Sequence, residues 1–160
     1  MERTIEVRHV SREIKSEYES FTRKFEELLG RFEPSFFNDI ETAPAEVQKR
    51  LKNAEGMEGL MLFDTQQHGK LLGLVGAARK AKQYVLGNPL IAMQMTHHDI
   101  RAALYAPLRM IVYEAEDHSV RAEYDLPSSL FGQFNNAEVT SVAKSLDLKM
   151  ENAIGKAEVD

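Results

Sequence analysis

The feature that most constrains this fold is a pair of alternating segments, residues 108–114 and 120–125. Their sequences, LRMIVYE and VRAEYD, place every second side chain on the same face, which is the period of a strand with one buried side. A short polar segment, AEDHS, joins the two, and Pro127 follows the second. Two strands joined by a short polar turn form a hairpin, so the chain is expected to contain an antiparallel sheet.

Further strands are predicted where apolar residues alternate or form short runs. The segment from Thr4 to Val10 alternates, with His9 in the apolar register. The run GLMLF at 59–63 is too short for a helix, and KQYVLG at 82–87 leads into a turn. We expect three more strands from these segments.

The first helix is predicted from apolar residues that recur at three- and four-residue steps. The residues that this spacing places on one helix face are Tyr18, Phe21, Phe25, Leu28, Leu29 and Phe32. Ser16 and Glu19 have the spacing of a capping box at its start, and Gly30 marks its end.

Three more helices are indicated. A short one is expected over 44–53, opened by Thr42 or Ala43. The pair Asn88 and Pro89 is typical of a helix start, and the helix is predicted over 89–104. The last helix runs along the apolar positions from 139 to 154.

This order of elements favours an α+β fold, a mainly antiparallel sheet packed against helices. A length of 160 residues suits one domain. Hydrophobic residues make up 43% and charged residues 28%, as in ordinary folded proteins with a core to bury. Within that single domain, residues 33–57 are interpreted as an insertion-like helical stretch that covers one end of the core.

Charge and cysteine content exclude several function classes. The net charge of -5 opposes nucleic acid as a partner, because phosphate binding needs a basic surface. The absence of cysteine removes thiolate metal sites and cysteine nucleophiles. The charged N-terminal segment is no secretory signal, which predicts a cytoplasmic protein. No stretch approaches the roughly 20 apolar residues of a membrane-spanning helix, so no membrane is expected.

The main candidate site lies along the predicted helix over 89–104. At 100° per residue, His97 falls inside its apolar face, and Gln94 and Arg101 flank it. A histidine in that place is either tuned by burial to act as an acid, base or ligand, or is a core histidine bonded to a carbonyl. His98 projects about 100° away, so the pair is no chelate and no metal site is predicted.

Other candidate ligand contacts come from the neighbouring elements. Arg109 and Tyr113 share the less apolar face of their strand, and Asn88 begins the helix. The basic cluster at 79–82 is interpreted as a solvated loop, with an anion contact as the alternative. These residue types suit an anionic ligand, since arginine pairs with carboxylates and phosphates.

Three segments resemble the domain of unknown function 302 family, a bacterial and archaeal set of small domains. The resemblance rests on the GNP turn at 87–89, the helix after it, the strand ending in VYE at 112–114 and the turn from Tyr124 to Pro127. It covers about residues 58–155, and the stretch before it is longer than in the minimal family domain. It implies a compact α+β domain of the TATA-binding-protein-like shape class, often a dimer, and no reaction.

Three functions are weighed. The first is a homodimeric module that binds a small anionic ligand through Asn88, Gln94, His97, Arg101, Arg109 and Tyr113. The second is an enzyme with His97 as general base, or as a ligand for a metal or haem, and Arg101 or Arg109 as anion stabiliser. The third is an interaction protein with Phe36, Phe37, Phe131 and Phe134 as its surface. The sequence identifies no cofactor.

Overall fold

The computed structural model describes residues 1–159, in which one six-stranded sheet forms the frame. The strands are β1 His9–Ile14, β2 Gly30–Arg31, β3 Met61–Gln66, β4 Ala81–Gly87, β5 Leu108–Glu114 and β6 Val120–Asp125. Their order across the sheet is β1-β6-β5-β4-β3-β2, and each neighbouring pair is antiparallel except β2 and β3, which are parallel. The prediction of a mainly antiparallel α+β domain is confirmed.

Six α-helices and several 3-10 turns connect the strands in the described chain. The helices are α1 Tyr18–Leu28, α2 Pro44–Asn53, α3 His68–Leu71, α4 Pro89–Thr96, α5 Pro127–Phe131 and α6 Ala137–Glu158. The 3-10 turns cover Pro34–Phe37, Met57–Gly59, Leu72–Val75, Ile100–Tyr105 and Gly132–Phe134. None of the helices within residues 1–159 is long and apolar enough to cross a membrane.

The core lies between one face of the sheet and the helices α1 and α6. Alternation along β5 and β6 buries every second side chain on this face, as Met110 and Ala122 illustrate. Phe21 and Phe25 of α1 stack with ring centroids 5.7 Å apart, and both are fully buried. The opposite face, which carries Tyr113 and Glu123 among others, is called the open face below.

The predicted N-terminal strand is wrong in its bounds. The alternation predicts a strand from Thr4 to Val10, but β1 begins at His9 and ends at Ile14. Both windows alternate; what selects the second is pairing with β6, in which Ile14 lies opposite Val120. His9 therefore lies on the open face rather than in the core.

The predicted capping box is also wrong. The helix α1 begins at Tyr18 with Glu17 at its cap, so Ser16 is one residue too early for that position. Among residues 1–159, the buried hydroxyl of Ser16 finds no hydrogen-bond partner. The spacing of a Ser and a Glu therefore does not produce a capping box here.

The helix predicted over 89–104 is divided into two pieces. Its start is confirmed, because the Asn88 side chain accepts from the backbone N–H of Leu90 at 2.7 Å and of Ile91 at 3.4 Å. Its continuation is wrong, since α4 ends at Thr96 and the extended Asp99 begins a separate 3-10 turn. The short helix predicted over 44–53 is confirmed as α2.

Candidate functional site

An apolar cavity lies where β4 ends, β5 begins and the helices α2 and α4 meet. Its volume is about 520 Å³. One wall comes from Val47 and Leu51 of α2, another from Met93 and Met95 of α4, and Phe63 of β3 contributes a third side. Val47, Leu51 and Met95 are almost fully buried, so these walls are packed into the fold. We call this space the α2/α4 cavity.

Asn88 fixes one wall of the α2/α4 cavity. It is 4% exposed, and its Oδ1 caps α4 as described above. Its Nδ2 donates to Oε1 of Glu55 and to the carbonyl oxygen of Gly59, both at 2.7 Å. Both amide protons are thus used within the fold. The side chain holds the start of α4 against the turn before β3, which makes Asn88 a positioning residue for the cavity.

His97 does not lie in an apolar face, contrary to the sequence prediction. The backbone is still helical at His97, whose N–H donates to the carbonyl oxygen of Met93 at 3.0 Å, but this side of α4 faces solvent. Met93 is 52% exposed, and His97 is exposed with it. Its ring contacts that of His98 edge to face, with centroids 5.3 Å apart. Gln94 is exposed as well. Neither residue lines the α2/α4 cavity.

Arg101 is engaged by its own chain neighbour. Its Nε donates to Oδ1 of Asp99 at 2.9 Å and its Nη2 to Oδ2 at 2.6 Å, while the guanidinium lies 5.2 Å from the centre of the Phe134 ring. The hydrogen bond from Arg101 lowers the pKa of Asp99. This bidentate ion pair with Asp99 balances the charge of Arg101 locally.

Arg109 and Tyr113 lie on the open face of β5. Arg109 is exposed, and the Tyr113 hydroxyl donates to Oε1 of Glu123 at 2.7 Å. The hydroxyl of Ser11 donates to the same oxygen at 2.9 Å. The structure therefore separates these two predicted residues from Asn88, and of the six predicted ligand contacts Asn88 alone lines the α2/α4 cavity among the described residues.

A polar network on the open face joins His9 to two carboxylates. Its Nδ1 lies 3.0 Å from Oδ1 of Asp125 and its Nε2 lies 3.1 Å from Oε2 of Glu123. The hydrogen bond with Asp125, followed by that with Glu123, raises the pKa of His9. Sequence reasoning missed this network, because it depends on which strand pairs with β1.

The structure also bears on the proposed phenylalanine surface. Phe131 is fully buried and packs edge to face with Tyr105, so it is unavailable for association and that part of the prediction is wrong. Phe36 and Phe37 pack instead around Phe32.

Within residues 1–159, no group of three His, Cys, Asp or Glu side chains is placed to hold a metal ion. The enzymatic role of His97 stays a prediction.

A protein-family model described as a domain of unknown function, DUF302, matches residues 39–157. This chain belongs to the DUF302 family. The matched region of this DUF302 domain begins before α2 and ends within α6, so it includes every wall of the α2/α4 cavity named above. The resemblance seen in the sequence is confirmed.

The DUF302 fold is also found in a solved structure. It matches the crystal structure of an uncharacterized conserved protein DUF302 from Bacillus stearothermophilus with a TM-score of 0.67. The two are 12% identical, and the match covers 93% of this chain and 97% of that one. At this identity the match establishes a shared fold. A comparison with curated proteins finds no match.

Proposed function

We propose that this DUF302 domain binds a largely apolar small molecule in the α2/α4 cavity. The observation that carries the proposal is the cavity itself. Its volume of about 520 Å³ is within the range of roughly 300–1,000 Å³ that is common for ligand sites. The polar side chains of its lining are Gln48, Asn88 and Thr96, and the rest of the wall is apolar.

The lining favours an apolar ligand over the anionic one expected from the sequence. Among the described residues, no Lys, Arg or His side chain reaches this cavity. Moving an anion from water to such a wall costs free energy, and no cationic side chain of the lining would offset that cost. A compact hydrocarbon or aromatic body with one or two polar groups would instead gain from leaving water.

The rim of the cavity supports the same conclusion. Phe37 is 43% exposed, Ile40 51% and Met93 52%, and all three line the cavity. Large apolar side chains that remain open to water at the edge of a cavity are typical of a binding groove. A ligand seated there would cover the rim and the wall together.

Binding is tested with N-phenyl-1-naphthylamine, a neutral fluorescent probe, titrated into the full chain. We expect saturable fluorescence, and chemical-shift changes at the methionine methyl groups of Met93 and Met95. The methyl group of Met150, which is buried in the main core outside the cavity, serves as the internal reference. The proposal would be contradicted if the methyl signals of all three methionines shifted, or if those of Met93 and Met95 did not shift.

A matched pair of variants locates the probe. Ala92 lines the cavity, whereas Ala103 is exposed in the 3-10 turn after α4. We expect Ala92→Trp to fill the space and weaken probe binding by about tenfold or more, the equivalent of one or two lost apolar groups. Ala103→Trp should bind as the unaltered protein does. If circular dichroism shows that both variants are folded and both bind the probe with equal affinity, the proposal is contradicted.

The proposal includes association into a homodimer, as the family resemblance implies. Support comes from the loop after α3, where Leu74 is 84% exposed and Val75 is 76% exposed. Sedimentation of the double variant Leu74→Asp, Val75→Asp should give the mass of one chain, while the control Leu148→Asp, altered on an exposed part of α6, should give that of two. A monomeric unaltered protein would contradict the association.

A further inference from the structure

A second, polar depression lies between α1, β2, α3 and the start of β4. Its volume is about 830 Å³. Around it stand six cationic side chains, Arg23, Arg31, Lys70, Arg79, Lys80 and Lys82, and three carboxylates, Glu19, Glu26 and Glu27. This is a concentration of positive charge on a chain whose net charge is -5. We call it the basic cleft.

Two of the cations are already balanced by carboxylates. Lys82 lies 2.6 Å from Oε1 of Glu26, and Lys80 lies 3.1 Å from Glu19 and 3.0 Å from Glu114. Both lysines line the basic cleft. The carboxylates offset the positive charge of both lysines.

The other four cations are not balanced in this way. In the part of the chain that the structure describes, Arg23, Arg31 and Lys70 form no ion pair, and Arg79 donates to the backbone oxygen of Glu114 at 3.1 Å. Glu27 is the one carboxylate of the lining left to oppose them. Like charges that converge without counter-charges repel one another. The arrangement is therefore favourable when an anion lies among them.

The backbone beneath these cations is held in place by close contacts. Gly69 packs so tightly that a Cβ atom there would lie 2.0 Å from the carbonyl oxygen of Arg79, and the Arg79 N–H donates to the Gly69 oxygen at 3.1 Å. The backbone that carries Lys70 is thereby held beside the backbone of Arg79. Gly30, which precedes Arg31, makes an equally close contact with the backbone at Ala54.

Glu26, which lines the basic cleft, is held in place by a buried tyrosine. The Tyr84 hydroxyl donates to Oε1 of Glu26 at 2.9 Å, the same oxygen that pairs with Lys82. Tyr84 is fully buried, and burial raises the pKa of its hydroxyl, which keeps it a donor. A ligand in the basic cleft would therefore meet a neutralised pair at Glu26 and Lys82 and the unbalanced cations around it.

We propose that the basic cleft is a binding site for a compact polyanion, a small molecule with two or more phosphate or carboxylate groups. Arginine binds such groups through two parallel hydrogen bonds, and lysine adds a mobile point charge. The cations come from four separate segments of the chain, so the site depends on the fold. It is distinct from the apolar α2/α4 cavity and does not require that cavity to be occupied.

The test uses inorganic pyrophosphate, titrated into the full chain by isothermal calorimetry at low ionic strength. We expect saturable binding to one site for each chain. Arg31→Glu and Lys70→Glu should each weaken it by about tenfold or more, the size expected when a charge-assisted contact becomes a repulsion.

The controls are Lys49→Glu and Lys144→Glu, which change the net charge equally at exposed positions outside the basic cleft. They should bind pyrophosphate as the unaltered protein does. Equal losses in all four variants would mean diffuse attraction, and an absence of saturation would mean no site; either result overturns the proposal. Binding of N-phenyl-1-naphthylamine should be unchanged in Lys70→Glu, so the two proposals can fail separately.

Discussion

At the scale of single residues, Asn88 shows how a polar side chain can be buried without being a ligand. Its position after a strand and before a proline predicts the helix cap correctly. Asn88 donates its two further hydrogen bonds to Glu55 and Gly59, which lie about thirty positions earlier in the chain. No pattern in the sequence indicates these two contacts. A residue in a candidate site must therefore be tested for its role in holding the fold first.

We expect Asn88→Ala to lower the free energy of unfolding by about 2–3 kcal/mol, because it removes a helix cap and leaves two part-buried acceptors without their donor. The comparison is Asn136→Ala, which removes only the cap of α6, made to the N–H of Val139 at 3.0 Å, and should cost about 1 kcal/mol. Urea denaturation measures both. Equal losses would show that the Glu55 and Gly59 contacts contribute nothing.

The network of His9 predicts a dependence of stability on pH. Hydrogen bonds to Asp125 and Glu123 raise the pKa of His9 above its ordinary value of 6.5, so the protonated ring favours the folded state. This contribution is complete below the unfolded pKa and is lost as the pH rises through the folded pKa. Since the side chain is 55% exposed, we expect less than about 1 kcal/mol.

The measurement is the difference in unfolding free energy between the unaltered protein and His9→Gln, followed by urea denaturation from about pH 5.5 to about 8.5. The difference should favour the unaltered protein at the acidic end and shrink towards the alkaline end. Ser141→Ala, altered at an exposed position on α6 that carries no titratable group, is the control and should show a flat difference. A difference that grows with pH would contradict the assignment.

At the scale of elements, local spacing predicts helices well where one apolar face is buried. This holds for α6, and for α1 as far as Leu28; Phe32, predicted on the same face, lies beyond β2. The prediction fails at the end of α4, because Asp99 offers the backbone an alternative: its carboxylate accepts from the N–H of Arg101 at 3.0 Å and begins a new turn. The predicted placement of His97 fails because its side of α4 faces solvent, where Met93 is 52% exposed. The bounds of β1 differ from the prediction because its register is set by the partner strand β6 rather than by its own alternation.

We expect Asp99→Ala to loosen the 3-10 turn at Ile100–Tyr105. The Arg101 amide loses its acceptor, and its hydrogen exchange should become about three- to tenfold faster. Arg101→Gln removes the ion pair but keeps the capping bond, so the amide should exchange at nearly the original rate. If both variants exchange alike, the side-chain pair rather than the cap orders the turn.

At the scale of the whole molecule, the sequence predicts the fold class but not the candidate sites. The α2/α4 cavity draws its walls from β3, α2 and α4, and the basic cleft from α1, β2, α3 and the start of β4. Each wall is an ordinary core or surface position within its own element. Their convergence depends on strand order and helix packing, which no local pattern encodes.

The same organisation divides the molecule into regions of unequal stability. Val47 and Leu51 of α2 are buried, but they pack outside the main core that α1, α6 and the sheet form together. Arg50 ties α2 to the preceding turn through the carbonyl oxygen of Phe36 at 3.1 Å. One side of α2 faces the α2/α4 cavity instead of packed side chains. We therefore expect α2 to open locally at a lower free energy than α6.

Native-state hydrogen exchange tests this expectation and links it to ligand binding. Amides of α2 should exchange through a local opening, while those around Met150 in α6 should require global unfolding. Saturating N-phenyl-1-naphthylamine should slow exchange in α2 much more than around Met150, because a ligand that contacts Val47 and Leu51 stabilises the closed form selectively. Exchange of α2 at the global rate without the probe would show that the cavity does not weaken this part of the fold.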